Sequence, residues 1–297
     1  MKESTTGTLL VLGAAAGFGT IGIFGELAAA IDLRLATLLP TRFALATLVV
    51  LALSRLRGWP LLRTRRDLAT TFALGLVYTG LTLFFFVSLR HLTAGLATIV
   101  LYTYPAIVFA LAATFLGERV TRAKLAALAA VLAGVVLIVD ADAAGADPLG
   151  VALALGAAAC YALYTTGSRT LVSDLDPRAL MLGVLLGTTA GMVGFALLTT
   201  GLALPDGRTQ WGVVLGLTLV GTLVPLLLFY EGVSRLEASR VGVISTVEPV
   251  VTVALGALLL GEAVTPAVVA GGALVLGGVL LVQRGGDLRR TVDYLRA

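Results

Sequence analysis

Long apolar runs separated by short polar breaks fill this chain from end to end. Between charged or Pro- and Gly-marked breaks, the runs fall at 7–28, 35–54, 68–89, 94–115, 122–140, 148–168, 178–200, 211–233, 238–260 and 265–283. The hydrocarbon core of a bilayer takes about 20 mostly apolar helical residues, so each run has the length of one crossing. A crossing segment must satisfy its own backbone hydrogen bonds in lipid, which predicts helices. Transmembrane strands would be shorter and would alternate polar with apolar residues; these runs do not. The pattern predicts an all-α integral membrane protein of ten transmembrane helices. The first run starts soon after Lys2 and carries a single charge, Glu26, before Ala30, so it reads as a retained helix rather than a signal peptide.

Composition agrees and narrows the function classes. Hydrophobic residues make up 58% and charged residues 13% of the 297 positions, against about 45–50% and 25% in soluble domains. Mean hydropathy is +1.01. Ten crossings leave no segment for a soluble catalytic domain. The single Cys160 excludes an intrachain disulfide, and with one histidine, His91, the chain has no Cys/His metal spacing. No metal or cofactor is expected. No Gly-rich phosphate loop precedes a Lys-Ser/Thr pair, so ATP-driven transport within this chain is not expected, and no enzymatic arrangement of nucleophile and base stands out.

The net charge of +4 belongs to membrane orientation rather than to nucleic acid. With the N-terminus inside, all but four of the 21 Lys and Arg fall in cytoplasmic segments, the exceptions being Arg34, Arg42, Arg90 and Arg208. This bias predicts both termini in the cytoplasm of a plasma- or inner-membrane protein. Trp59 and Trp211 fall at loop–span junctions, where indoles anchor in the interface.

A 144-residue shift aligns 85–139 with 229–283 at about 20 identities. Pro105 meets Pro249, Leu116-Gly117-Glu118 meets Leu260-Gly261-Glu262, and Gly134 meets Gly278. Each half holds five spans. Five is odd, so the second copy enters the membrane inverted. The cations agree: Arg119, Arg122 and Lys124 align with Ala263, Pro266 and Val268. The expected organisation is a first repeat over 1–144, an inverted second repeat over 145–283 and a basic cytoplasmic tail over 284–297. Inverted repeats meeting at a midplane site are a frequent plan in secondary transporters.

The paired pattern Pro105…Leu116-Gly117-Glu118 and Glu248-Pro249…Leu260-Gly261-Glu262, with Ser245-Thr246-Val247 ahead of the second copy, resembles the EamA family of the drug/metabolite transporter superfamily. The resemblance spans nearly the whole chain. It implies two EamA-type repeats, a central cavity and export of amino acids or other small metabolites. Translocation of a lipid or lipid carrier is the alternative. The first copy departs from the second in placing Tyr104 where Glu248 stands, so a mechanism with an acidic pair at the two positions is not implied.

Glu248 is the sharpest site candidate. It lies near the middle of its span, where an ionisable group faces a cavity or a partner. It can carry a proton, bind a substrate amine or brace the break at Pro249. Pro105, Pro249 and Pro225 each remove a helix hydrogen bond and favour a kink, static or lining a site. Arg42 sits within the second span; pairing with Glu26 is the favoured reading and binding of an anionic substrate group the other. Tyr78, Tyr102, Tyr161 and Tyr164, with Tyr104, offer aromatic faces and hydroxyls to a small-molecule substrate, or serve packing and lipid contact. The many Gly and Ala read as close helix packing, and Glu118 and Glu262 as loop or capping residues.

Overall fold

The computed structural model describes residues 2–62, 64–104, 106–108, 122–141, 147–172, 175–233, 235, 244–245, 247–278 and 280. Among the described residues every regular element is a helix. In chain order they are α1 (Lys2–Phe18), α2 (Ile21–Ala30), α3 (Leu35–Arg57), α4 (Arg65–Ser88), α5 (Ala94–Leu101) and α6 (Arg122–Ala141). The second half has α7 (Pro148–Val172), α8 (Pro177–Leu198), α9 (Gly207–Thr218), α10 (Val224–Val233), α11 (Val247–Leu255) and α12 (Pro266–Gly278). Six stretches are long and apolar enough to cross a membrane: Thr5–Ala30, Leu35–Arg57, Arg65–Ser88, Pro148–Ser168, Pro177–Leu198 and Gly207–Phe229. Shorter apolar helices include Val247–Leu260 and Pro266–Gly278. Large apolar side chains stand on the outside, up to Leu198 at 88% exposed, as expected where lipid replaces water.

Local signals set the helix ends. Thr64 accepts the Asp67 N–H at 3.0 Å to start α4, and Thr93 accepts the Leu96 N–H at 3.3 Å to start α5. Asp176 accepts the Arg178 N–H at 2.8 Å, with Pro177 at the first helical position of α8. Gly58 ends α3 with φ +63°.

The breaks inside spans are as informative. The first span is not continuous: α1 stops at Phe18, and the Thr20 hydroxyl donates to the Gly17 carbonyl at 2.6 Å before α2 begins. α5 ends at Leu101, four residues before Pro105, whose ring would clash with that carbonyl in a continuing helix. Pro105 itself, and the Leu116-Gly117-Glu118 motif, lie outside the described residues. A π-helical turn, Leu219–Leu223, precedes Pro225 at the second position of α10. Pro249 stands in the first turn of α11, and a second π-helical turn, Gly256–Leu260, follows. Pro40, inside α3, is tolerated without ending that helix.

The two halves interleave. α4 packs against α7 and α8, and α3 against α8 and α9, while α1 packs against α10. Under the 144-residue shift α7 answers α1, α8 answers α3, and α9–α10 answer α4, so the pairs recur with the halves exchanged. α4 and α8 approach closely. A Cβ on Gly187 would lie 2.2 Å from the Phe72 carbonyl, and one on Gly75 2.3 Å from the Val184 carbonyl. Gly183, Gly187 and Gly191, spaced by four, form the stripe on α8 that admits α4. The Thr188 hydroxyl reaches the Gly75 carbonyl at 3.0 Å across this seam.

At one end of the bundle, Glu26, Arg90, His91, Thr93 and Glu262 border a cavity of about 460 Å³. His91 Nδ1 meets the Asp147 carboxylate there at 2.5 Å. The Leu149 N–H, and then His91, hold the Asp147 carboxyl below its ordinary range. At the other end the Arg178 guanidinium lies 5.1 Å from the centre of the Trp59 ring.

Candidate functional site

Pro249 organises the centre of the site. A helical proline offers no N–H to the carbonyl four residues earlier, here that of Ser245. The Tyr102 hydroxyl takes that role, donating to Ser245 O at 2.8 Å. The same hydroxyl lies 2.9 Å from Glu248 Oε2. Tyr102, at the end of α5, is 5% exposed, so water does not compete freely for these contacts.

One phenolic hydrogen therefore faces two acceptors. A phenol has one hydrogen to give, and an ionised carboxylate has none. Both contacts are full hydrogen bonds at once only when Glu248 carries a proton and donates it to the Tyr102 oxygen. With Glu248 ionised, the Ser245 carbonyl and the carboxylate share a single hydrogen. The proton count of this group is thereby tied to the hydrogen bonding of the Pro249 break.

From Tyr102 the aromatic rings continue in contact. Tyr104 follows at 6.1 Å between centroids, then Tyr161 at 4.3 Å and Tyr164 at 6.3 Å. Tyr78 lies 5.1 Å from Tyr164, and Phe43 lies 6.1 Å from Tyr78. These separations are those of interacting aromatic pairs. Tyr78 comes from α4, Tyr102 from the end of α5 and Tyr104 from just after it, and Tyr161 and Tyr164 from α7. Five tyrosines of both halves thus form one row ending at Glu248.

Arg42 closes the other end. It is 2% exposed, and its Nε–H donates to the Thr222 hydroxyl at 2.8 Å. Thr222 in turn donates to Leu217 O at 3.0 Å across the π-helical turn. The guanidinium lies 4.8 Å from the Phe43 ring centre and 5.8 Å from that of Phe86. Ion pairs among the described residues are His91–Asp147 and Glu231–Arg235. The favoured pairing of Arg42 with Glu26 is therefore not observed: Glu26 sits at the mouth of the end cavity, beside Glu262.

The helix break between α1 and α2 meets this site from the side. A Cβ on Gly19 would lie 3.0 Å from the Glu248 carbonyl, and the Thr252 hydroxyl donates to Gly19 O at 3.0 Å. A Cβ on Gly17 would lie 2.3 Å from Pro225 Cγ. Pro225 thus packs against the broken first span. Among the described residues no group of three or more His, Cys, Asp or Glu could hold a metal ion.

The charged and aromatic members of the site stand out in the sequence, but their partners do not. Ser245 was legible as the carbonyl four residues before Pro249. Gly19 was signalled by the Gly17-Phe18-Gly19 stretch within an apolar run. Thr222 carried no signal, since its role depends on a turn from the other half reaching Arg42.

Comparison with known proteins places the chain. The model of the EamA-like transporter family matches twice, over residues 5–140 and 148–284. A transporter of Archaeoglobus fulgidus is 31% identical over 258 residues, covering 82% of this chain and 86% of that protein. The threonine/homoserine exporter RhtA of Escherichia coli (strain K12) is 26% identical over 250 residues, covering 83% and 80% respectively. One crystal structure aligns with a TM-score of 0.66 at 22% identity, over 97% of this chain and 99% of its own; at that identity the likeness is one of fold.

Proposed function

Because the chain belongs to the EamA-like transporter family, matched over most of its length in two copies, we propose that it exports amino acids or similar small metabolites by alternating access. The observation that carries this reading is the row from Glu248 through five tyrosines to Arg42, built from both halves inside a multi-pass membrane protein. Aromatic faces and hydroxyls suit small amphipathic solutes, and an intramembrane carboxyl or guanidinium is costly unless used. The threonine/homoserine exporter among the relatives supports the same substrate class. A transporter family assigns no catalytic step to the chain.

In this reading ten helices form two inverted repeats, 1–144 and 145–283, followed by the basic tail 284–297. Both termini are cytoplasmic, in the plasma or inner membrane. The exchange of contact pairs between halves supports inversion. So does the gathering of Glu26, His91, Asp147 and Glu262 at one end, with Trp59 and Arg178 at the other, as the charge bias expects. Glu248 couples export to protons: each protonation change alters the share of the Tyr102 hydrogen left for Ser245, and so the hydrogen bonding at Pro249. Arg42 receives an anionic group of the substrate, and the tyrosines its body. Partners are the solute and membrane lipids, not nucleic acid.

A second reading, lipid translocation, draws on one feature. Gly13, Ala16, Gly17, Val220, Val224 and Pro225 border an apolar crevice of about 370 Å³, with Val220 47% and Val224 50% exposed. The exposed valines leave this crevice open to the outside of the bundle.

The test is Glu248→Gln in proteoliposomes. Gln keeps the shape and an acceptor for Tyr102 but releases no proton. Amino-acid binding should persist, while the response of flux to an imposed pH gradient disappears. Gradient-driven flux at the wild-type rate would remove Glu248 from coupling. Flux of a fluorescent lipid, with none of any amino acid, would replace export with the second reading.

A further inference from the structure

Glu262 caps a helix, but not the next one along the chain, which its place in a Leu-Gly-Glu motif suggests. Its carboxylate accepts the Ala94 N–H at 2.8 Å through Oε1 and the Gly95 N–H at 3.2 Å through Oε2. These are the first two N–H groups of α5, which have no partner within their own helix. The carboxylate therefore caps a helix 168 positions away in sequence, from the opposite half of the chain. An anion at that terminus also meets the positive end of the helix dipole.

The local chain is built to bring Glu262 there. The π-helical turn Gly256–Leu260 widens the end of α11, and Gly261 reverses the chain with φ +70°. The Glu262 N–H then bonds back to Gly256 O at 3.1 Å, one residue further than a Schellman closure spans, as the wider π-helical turn allows. Gly256 leaves room for the folded-back side chain, since a Cβ there would lie 2.3 Å from Oε2. Gly95 does the same from the other helix, where a Cβ would lie 3.2 Å from that oxygen and 3.1 Å from Val253 Cγ2.

Two bridges result. α5 and α11 run antiparallel, joined at one end by Glu262 to Ala94 and Gly95, and at the other by Tyr102 to Ser245 and Glu248. The first bridge borders the 460 Å³ end cavity; the second is the centre of the candidate site. Separating the helices at the cavity end breaks the first bridge before it disturbs the second.

We propose that Glu262 is a positioning residue of the transport cycle: it latches α5 to α11 across the outer end of the site and releases Ala94 and Gly95 when the site opens outwards. The inference rests on the alternating-access reading and its orientation. It adds a residue that touches no substrate yet sets the balance between closed and outward-open forms. The groups facing Glu262 across the cavity are Glu26 from α2, and Arg90 and His91 from the α4–α5 connection, with Asp147 behind His91.

The experiment measures access, with flux alongside. Val253→Cys, placed between the helices, is made in a Cys160→Ser background and treated with a membrane-impermeant maleimide from outside or inside. With Glu262 present, external labelling should be slow. Glu262→Ala should speed it by about ten-fold or more, the weight of a charge-assisted hydrogen bond. Glu262→Gln keeps one acceptor for Ala94 and should fall between. Labelling from the inside should not rise, which separates unlatching from general loosening. Asp147→Asn, altering another contact at the same end, should leave the rate unchanged. Unchanged external labelling in folded Glu262→Ala or Glu262→Gln protein overturns the latch, as does equal acceleration from both sides. If the starting protein moves no amino acid, the export reading fails by itself, while the labelling still decides the latch.

Discussion

Arg42 and Thr222 give a direct way to separate a structural guanidinium from a functional one. In the structure the buried Arg42 Nε–H ends on Thr222 Oγ1, and the charge is otherwise eased by two aromatic faces. Thr222→Val removes the oxygen and keeps the cation. A buried charged donor left unpaired costs about 1–3 kcal/mol, and loss of the Thr222–Leu217 bond adds about 1 kcal/mol. Arg42→Met removes the cation together with its desolvation cost and refills much of the volume. Thr222 keeps its bond to Leu217 O, so no buried donor is stranded, and the change should fall within about 1 kcal/mol of wild type once the contacts to Phe43 and Phe86 are counted. The double variant should resemble Arg42→Met, giving a coupling of about 2 kcal/mol. Thr222→Ser keeps the oxygen and should behave as wild type. Thermal unfolding of the four proteins in nanodiscs measures this order, and substrate flux is read on the same samples. Arg42→Met should be well folded yet inactive. If Arg42→Met proved the costlier change, or the two substitutions were additive, the guanidinium would be a packing element and the reasoning would fail.

Two further outcomes follow from packing and topology. Gly75→Ala drives a methyl against the Val184 carbonyl at the α4–α8 seam; backbone cannot yield as a flexible side chain does, so we expect a loss of about 1–3 kcal/mol, seen as lower thermal stability, whereas Gly194→Ala, with no neighbour within 4 Å, should be silent. Cysteines at Thr64 and Asp206, introduced without Cys160, should react with an impermeant reagent from opposite sides of the membrane, and reaction of both from one side would refute the orientation.

The sequence made helices and membrane residence plain because both depend on runs of apolar residues, which are local. Glu248, Arg42 and the tyrosines were legible for a related reason: a polar group in an apolar run has few inexpensive roles. What lay beyond reach was pairing. Glu262 reads locally as a loop or capping acid after a glycine, and its destination on α5 depends on two helices from different halves lying antiparallel. Arg42 was expected to meet Glu26, near the outer end of the neighbouring span, but position along a span says nothing of rotation about it. The break at Gly19–Thr20 leaves no mark in hydropathy, and only the Gly17-Phe18-Gly19 spacing signals it. The stripe Gly183, Gly187, Gly191 was visible as spacing, but only packing identifies α4 as its partner.

The interleaving of the halves bears on how the protein is made. α4 is synthesised well before α8, yet its Thr71, Gly75 and Thr79 face is shaped to a helix that has not yet left the ribosome. Until α8 arrives, that face has only lipid or the insertion machinery against it. α1 waits longer still for α10. The first half is therefore made with its seams open, and a chain that stalls near its middle leaves faces of α1, α3, α4 and α5 unclosed. Any sequence change that delays the second half lengthens that exposure without altering a contact in the finished molecule.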